Sequence, residues 1–292
     1  MGKSFLRCKS AAILLLILLT SCSPPRPEIV SVNAVLPDSR PSAPLSHWTA
    51  TPTRELESMN ADGAVLRGWT YLATSHARQK LRILFFNGNA MDIDDSEAIY
   101  RELSVRGADV TVFDYRGYGF STGKADVMTF RSDALALYDK LAAAVPVVVY
   151  GFSLGTAMAA YVASERKVAG VILTGTIANA AEEFPVFARA MGYSSSRIAN
   201  MRPAPEAVMA FNEVGMIAQS NAPLLMLHGE ADSLVPIQEG REVFAASYSG
   251  QKQFVAVAGA GHNETVESAA ALNAVRAFLL AIQSASRTKR AG

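Results

Sequence analysis

The sequence predicts an α/β fold built on a doubly wound, mostly parallel sheet. Strand-like apolar runs alternate with helix-like segments from about residue 55 to the end of the chain, as in α/β proteins. Several runs, such as 147–151, are apolar at every position rather than every second one, which is typical of strands covered by helices on both faces. The segments between them, such as 126–144, carry apolar residues at helical spacing.

Eight strands and five helices are expected in chain order. The strands are predicted at residues 55–59, 66–72, 82–86, 109–113, 147–151, 169–174, 223–228 and 253–258. The helices are predicted at residues 96–106, 126–144, 154–166, 237–247 and 264–285. Half of all residues are apolar, so residues 46–292 are long enough and apolar enough to form one domain with a substantial core.

The alternation is interrupted between about residues 178 and 221, and we interpret this segment as a short lid insertion. It is rich in aromatic residues and methionine, which could line a pocket for an acyl chain. The candidate pocket residues are Phe184, Phe187, Met191 and Phe211. Alternatively, these side chains only pack the insertion onto the domain.

The first 21 residues have the pattern of a bacterial export signal. Basic residues precede an apolar run at 11–19 that is too short to span a bilayer. The run ends at Leu19-Thr20-Ser21-Cys22, which resembles a bacterial lipobox, so lipid is expected on Cys22 and residues 1–21 would be removed. Ser23 is not the aspartate of an inner-membrane retention signal, so we expect an outer-membrane lipoprotein facing the periplasm. A plain signal peptide is the alternative.

Residues 22–45 form a proline-rich stretch, which predicts an extended tether between the lipid anchor and the globular domain. Part of it could instead pack along the domain as an arm. Loss of the signal would remove three basic residues and no acidic ones from 27 basic and 26 acidic, leaving a net charge of about −2. No basic footprint for nucleic acid is present. The expected partners are a small-molecule or acylated substrate and, through Cys22, a membrane.

The most informative motif is Gly151-Phe152-Ser153-Leu154-Gly155, which lies between the fifth predicted strand and a small-residue helix. This is a G-x-S-x-G elbow in the strand–turn–helix context that it requires. Its glycines permit a sharp turn that exposes the serine hydroxyl at the end of a sheet. Ser153 is therefore the candidate nucleophile.

A serine nucleophile needs a general base and an acid that orients the base. His262 follows a glycine-rich turn after the last predicted strand and is the candidate base. Asp232, in the loop after the preceding strand, is the candidate acid, with Glu230 as competitor. His228, at the end of that strand, is expected to support the acid loop.

Acyl transfer also needs two donors for the oxyanion. The backbone N–H of Leu154, the residue after the nucleophile, is expected to supply one. The N–H of Asn89, in the turn after the third predicted strand, is expected to supply the other.

Three motifs together resemble the α/β-hydrolase superfamily: Asn87-Gly88-Asn89-Ala90, the stretch from Asp114 to Gly123 that reads DYRGYGFSTG, and GFSLG at 151–155. The resemblance covers nearly everything from about residue 55 onward, and eukaryotic abhydrolase-domain protein depalmitoylases share this pattern. It implies an α/β-hydrolase fold and hydrolysis of an ester or thioester. Asn87 stands where that family has histidine.

These observations predict a serine hydrolase that needs no metal or cofactor and that cleaves a carboxylic ester or thioester through an acyl-enzyme on Ser153. An acyltransferase would use the same triad and is an alternative. A non-catalytic binding module of the cell envelope is another, although such a module has no need of an activated serine. A dehalogenase or epoxide hydrolase is disfavoured because the elbow carries serine rather than aspartate.

Overall fold

The computed structural model describes residues 26–36, 44–73, 81–94, 96–190 and 192–291. The predicted signal at 1–21, the lipidation candidate Cys22 and the pocket candidate Met191 lie outside the described residues.

Within the described ranges the strands are β1 (Glu28–Val30), β2 (Arg54–Ala61), β3 (Ala64–Tyr71), β4 (Arg82–Phe86), β5 (Asp109–Phe113), β6 (Val147–Phe152), β7 (Gly170–Thr174), β8 (Met201–Pro203), β9 (Leu224–Gly229) and β10 (Lys252–Val257). The α-helices are α1 (Glu97–Ser104), α2 (Val127–Ala142), α3 (Leu154–Glu165), α4 (Ala180–Ala190), α5 (Ser195–Ala199), α6 (Pro205–Ala210), α7 (Glu213–Ala218), α8 (Ile237–Ala246), α9 (His262–Glu267) and α10 (Ala269–Ala291). Short 3₁₀ turns lie at Val32–Val35 and Leu45–His47.

Eight strands form one sheet in the order β2-β3-β5-β4-β6-β7-β9-β10. β3 pairs antiparallel with both β2 and β5, and every other neighbouring pair is parallel. The predicted doubly wound, mostly parallel eight-stranded sheet is therefore confirmed. Because β4, β6, β7, β9 and β10 run parallel to one another, the loops that follow them meet at one edge of the sheet.

Helices cover both faces of the sheet, as the continuous apolar strands predict. One buried cluster joins the sheet to α2, α3 and the segment between β7 and β9, and includes Phe130 and Met158. The cluster on the other face joins it to α1 and α10 and includes Tyr100 and Leu279. None of the helices in the described part of the chain is both long and apolar enough to cross a bilayer.

The final helix differs from the prediction. One helix is expected at 264–285, but α9 ends at Glu267 and α10 begins at Ala269. Ser268 between them has extended backbone (φ −64°, ψ 143°). Its hydroxyl accepts a hydrogen bond from the N–H of Ala271 at 3.1 Å, so Ser268 ends one helix and caps the next.

The segment at 178–221, predicted as a lid, holds α4, α5, β8, α6 and α7. Residues 26–36, which we call the arm, pack on this segment. Strand β1 of the arm pairs parallel with β8, and the side chain of Asn33 accepts a hydrogen bond from the N–H of Val127 at 2.9 Å. The described part of the proline-rich stretch at 26–36 therefore adopts the packed arrangement, the second of the two alternatives.

Candidate active site

Ser153 lies in a strained turn between β6 and α3. Its backbone has φ 51° and ψ −120°, a region that non-glycine residues rarely occupy. The flanking glycines make the turn possible. A Cβ on Gly155 would lie 2.1 Å from the carbonyl oxygen of Phe86, and one on Gly151 would lie 2.3 Å from the carbonyl oxygen of Gly155. The elbow that the motif predicts is thus present in the backbone.

Two hydrogen bonds hold the elbow in place. The N–H of Ser153 donates to the carbonyl oxygen of Thr174, at the end of β7, at 2.9 Å. The hydroxyl of Thr156 donates to the carbonyl oxygen of Ser153 at 2.6 Å and is also hydrogen-bonded to the buried carboxyl of Glu213 at 2.8 Å. Glu213, on α7, therefore ties the segment at 178–221 to the first turn of α3.

The imidazole of His262 lies beside this elbow. Its Nδ1 is hydrogen-bonded to Oδ2 of Asp232 at 2.7 Å. Its ring packs against the ring of Phe152, with 5.2 Å between centroids, and a Cβ on Gly175 would lie 2.7 Å from its Cε1. Phe152 precedes Ser153, and Gly175 follows Thr174, whose carbonyl oxygen accepts the hydrogen bond from the N–H of Ser153. The imidazole therefore lies close to both segments next to Ser153.

The second nitrogen of His262 is the atom that a general base would use. Nε2 is buried and has no hydrogen-bond partner among the described residues. With Nδ1–H donated to Asp232, Nε2 carries the lone pair and can accept a proton. The structure therefore places the hydrogen-bonded pair of Asp232 and His262 beside the turn that carries Ser153.

The carboxylate of Asp232 is held ionised. Burial alone would raise its pKa, but the hydrogen bonds from His262 and from the N–H of Val235, with the nearby imidazoles, lower the pKa below its ordinary value. Oδ1 accepts the N–H groups of Leu234 and Val235 at 3.0 Å and 2.9 Å, which leaves Oδ2 to orient His262.

His228 is fully buried below this loop. Its Nε2 is hydrogen-bonded to the carbonyl oxygen of Val235 at 2.9 Å, and burial lowers its pKa. A neutral imidazole that donates from Nε2 fixes the loop that carries Asp232. This is the supporting role expected for His228.

The two oxyanion candidates lie at the same edge of the sheet. Leu154 is the first residue of α3, where backbone N–H groups have no acceptor within the helix. Asn89 lies after β4, next to Ala90, whose φ is 58°. The hydroxyl of Tyr118 donates to Oδ1 of Asn89 at 2.9 Å and holds this turn. Both Leu154 and Asn89 line the cavity that also contains Ser153.

Asn87, the departure from the family histidine, is fully buried. Its Oδ1 accepts a hydrogen bond from the hydroxyl of Tyr100 at 2.6 Å, and its carbonyl oxygen accepts one from the hydroxyl of Tyr115 at 2.8 Å. Asn87 does not line the cavity around Ser153 and instead anchors the start of the turn.

The stretch from Asp114 to Gly123 supports the turn through its carboxyl and its tyrosines. Asp114 accepts the N–H groups of Ile93 and Phe120 at 2.9 Å and 2.8 Å, and its burial raises its pKa to about 7. Arg116 forms two hydrogen bonds with the buried carboxylate of Asp133, at 2.9 Å and 2.7 Å. The sequence shows two tyrosines in this stretch, Tyr115 and Tyr118, but does not indicate their contacts. Their hydrogen-bond partners, Asn87 and Asn89, are 28 and 29 residues away along the chain.

The cavity beside Ser153 is mostly apolar. Phe184, Phe187 and Phe211 line it, as predicted, while Met191 lies outside the described residues. The arm supplies part of the wall, through Val30, Ser31, Val32 and Leu36. No periodicity in the sequence indicated that the arm would reach this cavity.

Glu183 is a further lining residue that the sequence did not indicate as functional. Nothing in its local sequence pattern distinguishes it from an exposed helix residue. In the part of the chain that the structure covers, no group of three or more His, Cys, Asp or Glu residues is arranged to hold a metal ion.

Comparison with known proteins finds two matching family models and several similar proteins. A family model described as alpha/beta hydrolase fold matches residues 82–206, and one described as TAP-like protein matches residues 185–288. An uncharacterised protein of Mycobacterium tuberculosis is 29% identical over 233 residues, which are 77% of this chain and 79% of that protein.

Two further similarities concern proteins with a named activity or ligand. The lysophosphatidylserine lipase ABHD12 of Macaca fascicularis is 32% identical over 189 residues, which are 60% of this chain but only 46% of that lipase. The structure of Est1E from Butyrivibrio proteoclasticus, solved with ferulic acid bound, superposes with a TM-score of 0.64 at 16% identity, covering 78% of this chain and 99% of Est1E. With its strand order, its two family-model matches and its likeness to solved structures, the chain has the α/β-hydrolase fold.

Proposed function

We propose that the protein is a serine hydrolase that cleaves a carboxylic ester or thioester through an acyl-enzyme on Ser153. The observation that carries this proposal is the Asp232–His262 hydrogen bond beside the Ser153 elbow, with Nε2 of His262 left unpartnered. The similarity to a lysophosphatidylserine lipase supports ester hydrolysis in general.

In the proposed reaction, Nε2 of His262 takes the proton of Ser153 as Oγ attacks the acyl carbon. Asp232 keeps the proton of the neutral imidazole on Nδ1 and stabilises the imidazolium that forms. The N–H groups of Leu154 and Asn89 stabilise the oxyanion. His262 then returns the proton to the departing alcohol or thiol, and later activates the water that releases the acid.

The apolar cavity supports an acyl substrate. Aromatic side chains from α4 and α6–α7 and aliphatic side chains from the arm would contact the acyl chain, and their burial would contribute about 25 cal/mol per Å² of apolar surface. The aromatic wall consists of Phe184, Phe187 and Phe211.

Turnover of 4-nitrophenyl acetate, butyrate and octanoate, and of the matching acyl thioesters, tests the proposal. Ser153→Ala should reduce kcat by about 10⁴-fold or more, whereas Ser164→Ala, a serine on the same helix α3, should leave it unchanged. Equal turnover by wild type and Ser153→Ala would contradict the proposed nucleophile.

We also propose that the mature protein is anchored through lipid on Cys22, at the outer membrane and facing the periplasm. The lipobox-like sequence supports this, and two or more acyl chains give stable anchoring. Residue 26, where the arm begins, is only four residues from Cys22, a reach of at most about 14 Å. The anchor would therefore hold the arm and its cavity close to the lipid. Incorporation of labelled palmitate into wild type but not into Cys22→Ala tests the attachment.

A further inference from the structure

Glu183 has a carboxyl group that the proposed reaction does not use. It lies on α4, its residue is only 6% exposed, and it lines the same cavity as Ser153. Neither of its carboxyl oxygens has a hydrogen-bond partner among the described residues. A buried polar group without hydrogen-bond partners destabilises a fold. A leucine at position 183 would therefore stabilise the folded protein more than Glu183 does.

The charges that face Glu183 are negative. Burial, together with Glu239 on α8 and Asp232 after β9, raises its pKa to about 8. No lysine or arginine is among the described residues that line the cavity. The group is therefore protonated at neutral pH, and a protonated carboxyl both donates and accepts a hydrogen bond.

The other polar side chains of the cavity wall are already engaged. The hydroxyl of Ser31 donates to Glu206 at 2.7 Å, and Oδ1 of Asn89 accepts from Tyr118 at 2.9 Å. Among the described residues of this wall, Glu183 thus has a side chain in which both polar atoms lack a hydrogen-bond partner.

We propose that Glu183 is a substrate-binding residue that hydrogen-bonds a neutral hydroxyl group of the ester substrate, in its alcohol or its acyl part. This inference rests on the proposed function, because it concerns the cavity beside Ser153. A hydroxyl supplies both a donor and an acceptor to a neutral carboxyl. An anionic group would meet acidic neighbours and no cation, so it would be rejected.

Two pairs of esters that differ by one hydroxyl test this inference. Ethyl octanoate is compared with 2-hydroxyethyl octanoate and with ethyl 8-hydroxyoctanoate, and octanoylcholine serves as the cationic probe. For wild type at pH 7, at least one hydroxylated ester should have a kcat/KM about fivefold or more above that of ethyl octanoate, the size of one hydrogen bond.

Glu183→Leu should abolish this preference while still hydrolysing ethyl octanoate, and Glu183→Gln, which keeps a donor and an acceptor, should retain part of it. Glu102→Gln, on the exposed side of α1, is the matched control and should behave as wild type. The inference is overturned if wild type has no preference in either pair, if Glu183→Leu keeps the preference, or if octanoylcholine is the best substrate. Failure of the proposed function is distinct from these outcomes, because then no ester would be turned over.

Discussion

Nδ1 of His262 lies 2.7 Å from Oδ2 of Asp232, and the opposite nitrogen of the same ring has no hydrogen-bond partner among the described residues. One side of the imidazole is thus fixed and the other is open. Since the acceptor of the Nδ1 hydrogen bond is an ionised carboxylate, the proton stays on Nδ1 and Nε2 carries the lone pair.

Replacing Asp232 by asparagine should favour the wrong tautomer. The amide of asparagine can donate a hydrogen bond to Nδ1, which leaves the imidazole proton on Nε2. In this tautomer Nε2 has no lone pair and cannot act as the base. We expect kcat for 4-nitrophenyl butyrate to fall about 10⁴-fold with an unchanged far-UV circular dichroism spectrum. Glu230→Gln tests the competing acid, which is exposed, and should leave kcat unchanged. The reverse pattern would assign the orienting role to Glu230.

The tyrosines that hold the oxyanion turn should affect catalysis rather than binding. Tyr115→Phe and Tyr118→Phe each remove one hydrogen bond, to the carbonyl oxygen of Asn87 and to the side chain of Asn89. We expect each substitution to lower kcat by about threefold to tenfold with little change in KM. A misplaced oxyanion donor reduces the stabilisation of the transition state more than it reduces substrate binding.

Tyr138→Phe is the matched control for these tyrosines. Its hydroxyl donates to the carbonyl oxygen of Lys167 at 2.7 Å, before β7 and away from the site. It should lose a comparable amount of stability without loss of kcat. Equal effects of Tyr138→Phe and Tyr118→Phe on kcat would mean that stability, not the turn, explains the result.

The arm should determine chain-length preference. Four of its residues line the cavity, and Leu36 is buried in the core. A protein that starts at residue 44 should therefore have a higher KM for octanoate esters than one that starts at residue 26, while the two should differ little on acetate esters, which do not reach that wall. Identical chain-length profiles would show that the arm is not part of the binding surface.

Stability should decrease as the pH rises. The pKa of Glu183 is raised from 4.5 to about 8 and that of Asp114 from 3.8 to about 7 on folding. Between each pair of values the folded state binds more protons than the unfolded state, so the free energy of unfolding falls through this window. Below pH 6.5 the lowered pKa of His228 acts in the opposite direction, so urea unfolding at pH 6.5, 7, 7.5 and 8 should show this decline, with a shallower slope for Glu183→Gln. A flat profile for wild type would contradict the raised pKa values.

Much of the fold could be predicted because continuous apolar runs mark strands that are covered on both faces. The strand 109–113 coincides with β5, and 147–151 falls one residue short of β6, which continues to Phe152. The final helix was predicted wrongly as one element, because the break depends on the extended backbone of Ser268 and not on a change in apolar spacing.

Parts of the site could not be predicted because they depend on contacts between remote residues. The elbow of Ser153 is local and its glycines are visible in the sequence. In contrast, the arm reaches β8 across more than 160 residues, and a glutamate such as Glu213 is buried only because α7 packs on α3. Local patterns report periodicity and turn chemistry, and they carry no information on which side chains meet.

Reaction with a fluorophosphonate, followed by peptide mass spectrometry, tests the central claim most directly. The protein should start at residue 26, so that the arm remains in place. Wild type should gain one phosphonyl group, located on the peptide that contains Ser153, and Ser153→Ala should gain none at the same reagent concentration. A folded wild-type protein that is not modified, or is modified at another serine, would contradict the assignment of Ser153 as an activated nucleophile.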